Sequence, residues 1–173
     1  MSHFELRCPR CSKSRPADMS VEACLDCGSP LDVAYLGSDD NKFGSIPTPT
    51  HNPVLSVSLG EGDTPSVRLT NLITKLPPIH LFAKLEFLNP TGSFKDRGTA
   101  TMLSVAREFG VDELVEDSSG NAGASVSAYA ARAGIKSHIF VPADAPEAKL
   151  RQIRAYGTTV HPIDGVREDV TTA

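Results

Sequence analysis

From Val54 onward the sequence alternates between runs that favour β-strands and runs that favour α-helices. The runs "ELVED" (113–117), "SHIFVP" (137–142) and "TTVHPI" (158–163) favour strands, and a helix-forming run separates each from the next. Strands and helices that alternate at this spacing form βαβ units, in which parallel strands are covered by helices. The pattern therefore predicts an α/β fold with a parallel sheet.

Several of these helices have recognisable ends. We expect one helix from about Phe94 to Phe109, stopped by Gly110, and a second, alanine-rich helix closed by Gly134. A strand at "HLFAKLE" (80–86) should precede the first helix, with the turn "NPTG" ending it. The last helix, in "DGVREDVTTA", has no terminating residue. We expect the chain to stop inside its fold.

Composition divides the chain into three predicted regions. Residues 1–36 contain all four cysteines and little helical periodicity. Residues 37–53 are rich in Gly, Ser, Asp and Pro, which is typical of a linker. Residues 54–173 carry the alternating pattern. The predicted organisation is a small N-terminal module, a linker and an incomplete α/β region.

The four cysteines form two C-x2-C pairs, Cys8 with Cys11 and Cys24 with Cys27. Each pair can offer two thiolates to one ion, and two pairs complete a tetrahedron around zinc. Gly28 would let the backbone turn tightly behind the second pair. Iron, two disulfides and free thiols are the alternatives, and structural zinc is favoured. Four thiolates leave no open coordination position, so this metal would stabilise the fold of a zinc ribbon.

Charge and hydropathy exclude some classes of partner. The chain has 17 basic and 21 acidic residues, and residues 1–36 have four basic and five acidic side chains. This balance argues against nucleic acid as a partner. No run approaches the roughly 18 apolar residues of a membrane span, and the first ten residues do not resemble a signal peptide. We expect a cytoplasmic protein without a membrane partner.

One lysine stands at an unusual position in "NPTGSFKDRG" (89–98). Ser93 and Asp96 have the spacing of a capping box, which places Lys95 in the first turn of a helix. The helix dipole disfavours a positive charge there by about 0.3–1 kcal/mol. A partly buried lysine at this position is suited to act as a nucleophile. The alternative is a solvated surface lysine whose charge Asp96 offsets. A separate expectation is that Arg97 pairs with Asp96 and braces the turn.

A second segment, "DSSGNAGAS" (117–125), lies between a predicted strand and a predicted helix. Backbone N–H groups converge on an anion at such a turn, and Ser118, Ser119 and Asn121 add side-chain hydrogen bonds. The loop suits a carboxylate or a phosphate. The alternative is a tight turn that uses small residues for packing. The segment does not match the dinucleotide or Walker patterns, which argues against a nucleotide.

Together, "KLEFLNPTGSFKDRG" (84–98) and "EDSSGNAGAS" (116–125) resemble the cofactor-lysine segment and asparagine loop of the fold type II pyridoxal-phosphate enzymes. Among these enzymes, the sequence most resembles the threonine synthase family. The segments "GEGDTP" (60–65) and "KLRQIRAYG" (149–157) and the four-cysteine ribbon agree with that family. The resemblance implies a fold type II α/β sandwich, of which this chain would be the N-terminal part.

The resemblance also implies roles for individual residues. Lys95 would form the Schiff base with pyridoxal 5'-phosphate and, once released, act as the base that moves protons on the substrate. Asn121 would hydrogen-bond the phenolic O3′ of the cofactor. Ser118, Ser119 and the backbone of Ala122 would hold the substrate carboxylate. Ala122 stands where relatives often have threonine, so a side-chain contact from that position is lost.

For threonine synthase, the implied reaction converts O-phospho-L-homoserine and water to L-threonine and phosphate. The partner would be a small amino-acid substrate, and the parent enzyme would be a homo-oligomer, a dimer. The glycine-rich loop that holds the cofactor phosphate comes from the C-terminal half in this family, and no glycine cluster follows Asn121. We therefore expect an inactive N-terminal fragment.

Two further functional interpretations stay open. Cysteate synthases, threonine dehydratases and ammonia-lyases share much of the pattern around Lys95 and Asn121, so the parent could be another lyase of this fold. The four-cysteine ribbon could instead serve as a binding module without catalysis.

Overall fold

The structure, a computed structural model, describes residues 4–18, 20–36, 53–70, 80–165 and 167–172. The chain forms two compact units, Met1–Ser56 with Ser104–Val111, and Val57–Leu103 with Asp112–Ala173. The predicted linker, residues 37–53, lies outside the described residues except for Pro53, which begins a short 3₁₀ turn, Pro53–Leu55. None of the described helices has the length and apolar character required to cross a membrane.

The cysteine-containing region forms a three-stranded antiparallel sheet. Strand β1 (Phe4–Arg7) lies between β2 (Ser14–Pro16) and β3 (Asp32–Tyr35). Within described residues 4–36, the buried hydrophobic side chains are only Phe4 and two of the cysteines. So small a core contributes little to stability, and the shape of this region depends on what holds its cysteines together.

The second unit contains an antiparallel pair of strands before its first α-helix. Strand β4 (Ser66–Arg68) pairs antiparallel with β5 (Phe82–Lys84). The strand predicted over 80–86 is therefore shorter than expected, because Glu86 begins a 3₁₀ turn, Glu86–Leu88. In this turn the N–H of Leu88 bonds to the carbonyl of Leu85, a local bond that replaces strand pairing. The antiparallel partner β4 was not predicted.

Four α-helices follow among the described residues. They are α1 (Lys95–Glu108), α2 (Asn121–Ala133), α3 (Glu147–Ala155) and α4 (Arg167–Thr172). The predicted ends of α1 are confirmed to within one residue. The predicted end of α2 is also confirmed, since Gly134 caps it with a φ of 73° and donates its N–H to the carbonyl of Ala130.

The predicted parallel sheet is confirmed. Its order is β6 (Glu113–Glu116), β7 (Lys136–Pro142) and β8 (Thr159–Ile163), and both pairings are parallel. Along β7, alternate residues such as Ile139 and Val141 are fully buried. They pack against α2 and α3 in one apolar cluster, whose buried members are Ala124, Val126, Ile139, Val141, Leu150 and Ile153.

On the opposite face of this sheet a chain of hydrogen bonds crosses the three strands. His138 Nε2 lies 2.8 Å from a carboxylate oxygen of Glu113, and His138 Nδ1 lies 2.8 Å from His161 Nε2. The ring of His161 stacks on Phe140 with centroids 4.7 Å apart. These contacts join β6, β7 and β8 side by side, which is a structural role for both histidines.

The sheet also determines where α2 begins. Strand β6 ends at Glu116, and after a short turn α2 starts at Asn121. The turn therefore lies at the carboxyl end of a parallel strand. In open α/β sheets, ligands bind outside this end of the strands. Residues 117–121 are therefore a candidate ligand-binding segment.

Candidate functional site

Lys95 is the first residue of α1, as the sequence predicts. The preceding turn is closed by a 2.8 Å bond from the N–H of Gly92 to the carbonyl of Asn89. The Lys95 side chain is exposed, and its ammonium lies 5.2 Å from the centroid of the Phe94 ring. Among the described residues, no carboxylate lies within ion-pair distance of this ammonium. Lys95 is therefore accessible to a ligand.

The capping box predicted before α1 has a different form. The Ser93 hydroxyl accepts a hydrogen bond from the N–H of Lys95 at 3.3 Å, but Asp96 does not return to Ser93. Instead, the Asp96 carboxylate accepts the N–H of Thr91 at 2.7 Å and the Thr91 hydroxyl at 2.5 Å. In a capping box the Asp96 carboxylate would accept the N–H of Ser93. Here it bonds to Thr91, two residues before Ser93.

Asp96 also connects the lysine segment to α2. Its side chain is fully buried and accepts a 2.7 Å hydrogen bond from the hydroxyl of Ser125. Ser125 lies in the first turns of α2 and also bonds to Thr99 of α1 at 2.9 Å. The helix that begins with Lys95 and the helix that begins with Asn121 are therefore joined close to their N-terminal ends.

The predicted ion pair between Asp96 and Arg97 is wrong. Arg97 instead donates two hydrogen bonds of 2.8 Å to the two carboxylate oxygens of Glu86, eleven residues earlier. Adjacent residues on a helix point in different directions, so Arg97 reaches away from Asp96. Hydrogen bonds from Arg97, and then from Thr64, lower the pKa of the Glu86 carboxyl to about 2.

The turn before α2 has the close backbone approach that its glycines suggest. A Cβ atom placed on Gly123 would lie 1.9 Å from the carbonyl oxygen of Ser118, so only glycine fits. Gly120 is the N-cap residue of α2 and supplies no side-chain cap. Ser118, Ser119 and Ala122 are partly exposed, and Asn121 is exposed. A helix N-terminus is a common binding position for an anion, and these residues lie at one.

The "GEGDTP" loop makes partly buried contacts that the sequence did not reveal. Glu61 accepts a 2.7 Å hydrogen bond from the hydroxyl of Tyr129, a fully buried residue of α2. Burial, together with this carboxylate, raises the pKa of Tyr129 above its ordinary value. The N–H of Gly62 bonds to the side-chain oxygen of Asn89 at 3.0 Å. No local pattern marks these pairs, because their partners lie 27 and 68 residues away.

The four cysteines meet as predicted. Their sulfur atoms all lie within 4.8 Å of one another, with Cys8 Sγ 3.5 Å from Cys27 Sγ and Cys11 Sγ 3.6 Å from Cys24 Sγ. These distances are too long for disulfides. Zinc–thiolate bonds of about 2.3 Å in a tetrahedron separate the sulfur atoms by about 3.8 Å. The donor set therefore fits a single closed, four-thiolate metal ion.

The two cysteine pairs have nearly the same backbone geometry. The N–H of Ser12 bonds to the carbonyl of Cys8 at 2.9 Å, and the N–H of Gly28 bonds to the carbonyl of Cys24 at 2.8 Å. Ser12 and Gly28 both have positive φ, 61° and 68°. The tight turn predicted at Gly28 is confirmed, and Ser12 makes the same turn without the freedom of glycine.

Several known proteins are similar to this chain. The model of the family described as "Pyridoxal-phosphate dependent enzyme" matches residues 57–173. A threonine synthase from Bacillus sp. (strain ULM1) is 41% identical over 126 residues, which cover 72% of this chain and 36% of that protein. A threonine synthase from Methanocaldococcus jannaschii is 34% identical over 179 residues, covering 94% and 44%. The chain thus spans less than half the length of these curated relatives.

Solved structures agree on the fold. An O-acetylserine dependent cystathionine beta-synthase from Helicobacter pylori matches with a TM-score of 0.58 at 27% identity, over 64% of this chain and 39% of that one. A hydrogen sulfide-producing enzyme from Fusobacterium nucleatum matches with a TM-score of 0.60 at 29% identity, over 71% and 40%.

Proposed function

The chain belongs to the pyridoxal-phosphate dependent enzyme family, and on that premise we propose that it supplies the cofactor lysine of a threonine synthase. The reaction would convert O-phospho-L-homoserine and water to L-threonine and phosphate. One observation carries the proposal: Asp96 joins the turn bearing Lys95 to the N-terminal part of α2. The threonine synthases that are 34–41% identical to the chain support the choice of reaction.

The residues present fit the cofactor in part. They provide an accessible lysine and, at Gly123, a backbone approach that a larger residue would block. When bound, pyridoxal phosphate supplies an electron sink for the substrate carbanion. Lys95 would hold the cofactor and later move protons at the substrate carbons. The Asn121 amide would donate a hydrogen bond to the phenolic oxygen of the cofactor.

The turn before α2 would bind the substrate carboxylate. The hydroxyls of Ser118 and Ser119 and the N–H of Ala122 are hydrogen-bond donors, and the helix dipole adds a partial positive charge. The Ser118 hydroxyl also accepts the N–H of Gly120 at 3.3 Å, which orients it within the turn. A carboxylate held here would fix the orientation of the amino acid relative to Lys95.

We propose that the chain does not turn over substrate by itself. It spans 36% and 44% of the two threonine synthases, so the activity is that of a longer protein. The cysteine ribbon would hold a structural zinc ion and take no part in catalysis, since four thiolates leave no position for substrate.

The test is to reduce a mixture of the protein and pyridoxal phosphate with borohydride and to locate the adduct by mass spectrometry. We expect the adduct at Lys95 and its loss in Lys95→Ala. The matched control is Lys136→Ala, which removes another exposed lysine and should leave Lys95 labelling intact. Equal labelling of Lys95 and Lys136 would contradict the proposal.

A second assay separates the reactions. The longer protein should release phosphate from O-phosphohomoserine. Release of ammonia from threonine without phosphate release from O-phosphohomoserine would identify a dehydratase or ammonia-lyase instead.

A further inference from the structure

Glu86 and Arg97 close the segment of chain that carries Lys95. Glu86 begins the 3₁₀ turn after β5, and Arg97 is the third residue of α1. Two parallel hydrogen bonds of 2.8 Å join the guanidinium to both carboxylate oxygens. A planar guanidinium can form such a bidentate pair with a carboxylate, whereas a lysine ammonium cannot. The pair thus fixes both the separation and the orientation of the two ends of a twelve-residue loop.

Further contacts inside the loop leave its backbone little freedom. The Asn89 side chain donates hydrogen bonds to the carbonyl of Glu86 at 2.8 Å and to its carboxylate at 3.0 Å. Asp96 holds the N–H and hydroxyl of Thr91. Lys95, by contrast, points out of the loop and is exposed. These contacts restrain the loop around an amine that makes no ion pair with any described carboxylate.

The same pair connects this loop to the "GEGDTP" loop. The hydroxyl of Thr64 donates to Glu86 at 2.8 Å and accepts from Arg97 at 3.1 Å. The side chain of Asn89, whose amide nitrogen donates to Glu86, accepts the N–H of Gly62 on its side-chain oxygen at 3.0 Å. Thr64 is buried, and the Glu86 and Arg97 side chains are 27% and 30% exposed, so the pair is partly shielded from solvent.

We infer that Glu86 and Arg97 are positioning residues for Lys95. Their pair closes the loop that carries Lys95 and connects this loop to residues 60–65, and it thereby sets the direction of the Lys95 amine. The inference rests on the proposed role of Lys95 as the cofactor lysine. Neither residue needs to touch the cofactor or the substrate for this effect. Loss of the bidentate Glu86–Arg97 pair should make both loops more mobile and leave the stability of the parallel sheet unchanged.

The first test measures amide hydrogen exchange by NMR in the full chain, without cofactor. In Arg97→Lys and Glu86→Gln, we expect the amides of Gly62 and Thr91 to exchange at least tenfold faster, while the amide of Ile139 in β7 keeps its rate. The control is Arg154→Gln, which removes an exposed pair with Glu147 in α3. Unchanged exchange at Gly62 and Thr91, or equal acceleration at Ile139, would overturn the inference.

The second test measures the direction of the amine rather than loop stability. Borohydride labelling with pyridoxal phosphate is compared at Lys95 and Lys136 at a temperature at which each variant is fully folded. We expect Arg97→Lys to lower the Lys95:Lys136 labelling ratio at least threefold, and Arg154→Gln to leave it unchanged. A wild-type preference for Lys95 that survives in Arg97→Lys would overturn the inference. If wild type shows no preference, the proposed function fails, and the exchange experiment still decides whether the pair holds the loop.

Discussion

The hydroxyl of Ser125 donates a 2.7 Å hydrogen bond to the carboxylate of Asp96, and neither side chain is exposed to solvent. The bond joins the helix that begins at Lys95 to the helix that begins at Asn121. A hydrogen bond to a charged group contributes more to stability than one between neutral groups. This single contact therefore affects both the stability of the unit and the relative position of the two predicted cofactor-binding segments.

Ser125→Ala should lower the free energy of unfolding by about 1.5–3 kcal/mol, because a buried carboxylate loses one of its donors. The measurement is urea unfolding followed by circular dichroism. Ser127→Ala is the matched control, because Ser127 is equally buried on the same helix and, among the described contacts, its hydroxyl bonds only to the carbonyl of Gly123. It should cost about 1 kcal/mol or less. Equal losses in the two variants would contradict a special role for the bond to Asp96.

Two glycines in the first turns of helices should change the melting temperature in opposite directions when each is replaced by alanine. Gly123→Ala places a methyl group 1.9 Å from the Ser118 carbonyl oxygen, so the turn must shift and the melting temperature should fall. Gly98→Ala in α1 meets no atom within 4 Å and should stabilise the helix by about 0.5–1 kcal/mol. Thermal unfolding of both variants checks the pair. A rise in melting temperature for Gly123→Ala would refute the tight turn.

The Glu86 carboxylate should contribute stability that depends on pH. Its pKa of about 2 in the folded protein lies below the value of about 4.3 in an unfolded chain. The contribution is therefore complete above about pH 5 and is lost as the pH falls from about 4.3 towards 2. We expect the difference in melting temperature between wild type and Glu86→Gln to be largest near pH 7 and to shrink in this interval.

Comparison with Glu147→Gln controls for removal of an exposed carboxylate that also pairs with an arginine. Its difference from wild type should be smaller at pH 7, because exposed pairs contribute little. A difference for Glu86→Gln that stays constant from pH 7 to pH 2.5 would show that the carboxylate is not held by Arg97.

Purified protein should contain one metal ion per chain, measured by elemental analysis, and we expect this ion to be zinc. Cys24→Ser should abolish stoichiometric binding, because the remaining three thiolates cannot close the tetrahedron. Ser20→Ala, a nearby exposed residue bonded only to Asp18 among the described contacts, should retain the ion. Stoichiometric iron in place of zinc would change the identity of the metal. The absence of both metals from freshly prepared protein would refute the site.

Periodic and local features were predictable from the sequence. The parallel strands follow from β-prone runs separated by helix-forming runs, and the end of α2 follows from Gly134. The convergence of the cysteines follows from their spacing. Each of these features depends on residues that are close in sequence, where propensity and turn chemistry act directly.

The contacts that organise the candidate site were not predictable in the same way. Glu86 falls in a run that favours a strand, yet its partner Arg97 lies on a helix. Glu61 bonds to Tyr129 across 68 residues. Such pairs arise only when the elements pack, and propensity contains no information about which distant side chains then meet. The sequence therefore placed Lys95 and Asn121 at the starts of two helices but did not predict the pairs Glu86–Arg97 and Asp96–Ser125 around them.

The similar turns at Ser12 and Gly28 bear on the order in which the cysteine site assembles. Each turn is closed by its own local hydrogen bond, Ser12 to Cys8 and Gly28 to Cys24, so neither turn needs the other and either pair of cysteines can make the first encounter with an ion. The left-handed backbone costs serine more than glycine. We therefore expect the pair at Cys24 and Cys27 to capture the ion first, and the pair at Cys8 and Cys11 to close around it afterwards, with assembly running from the later half of the ribbon to the earlier one.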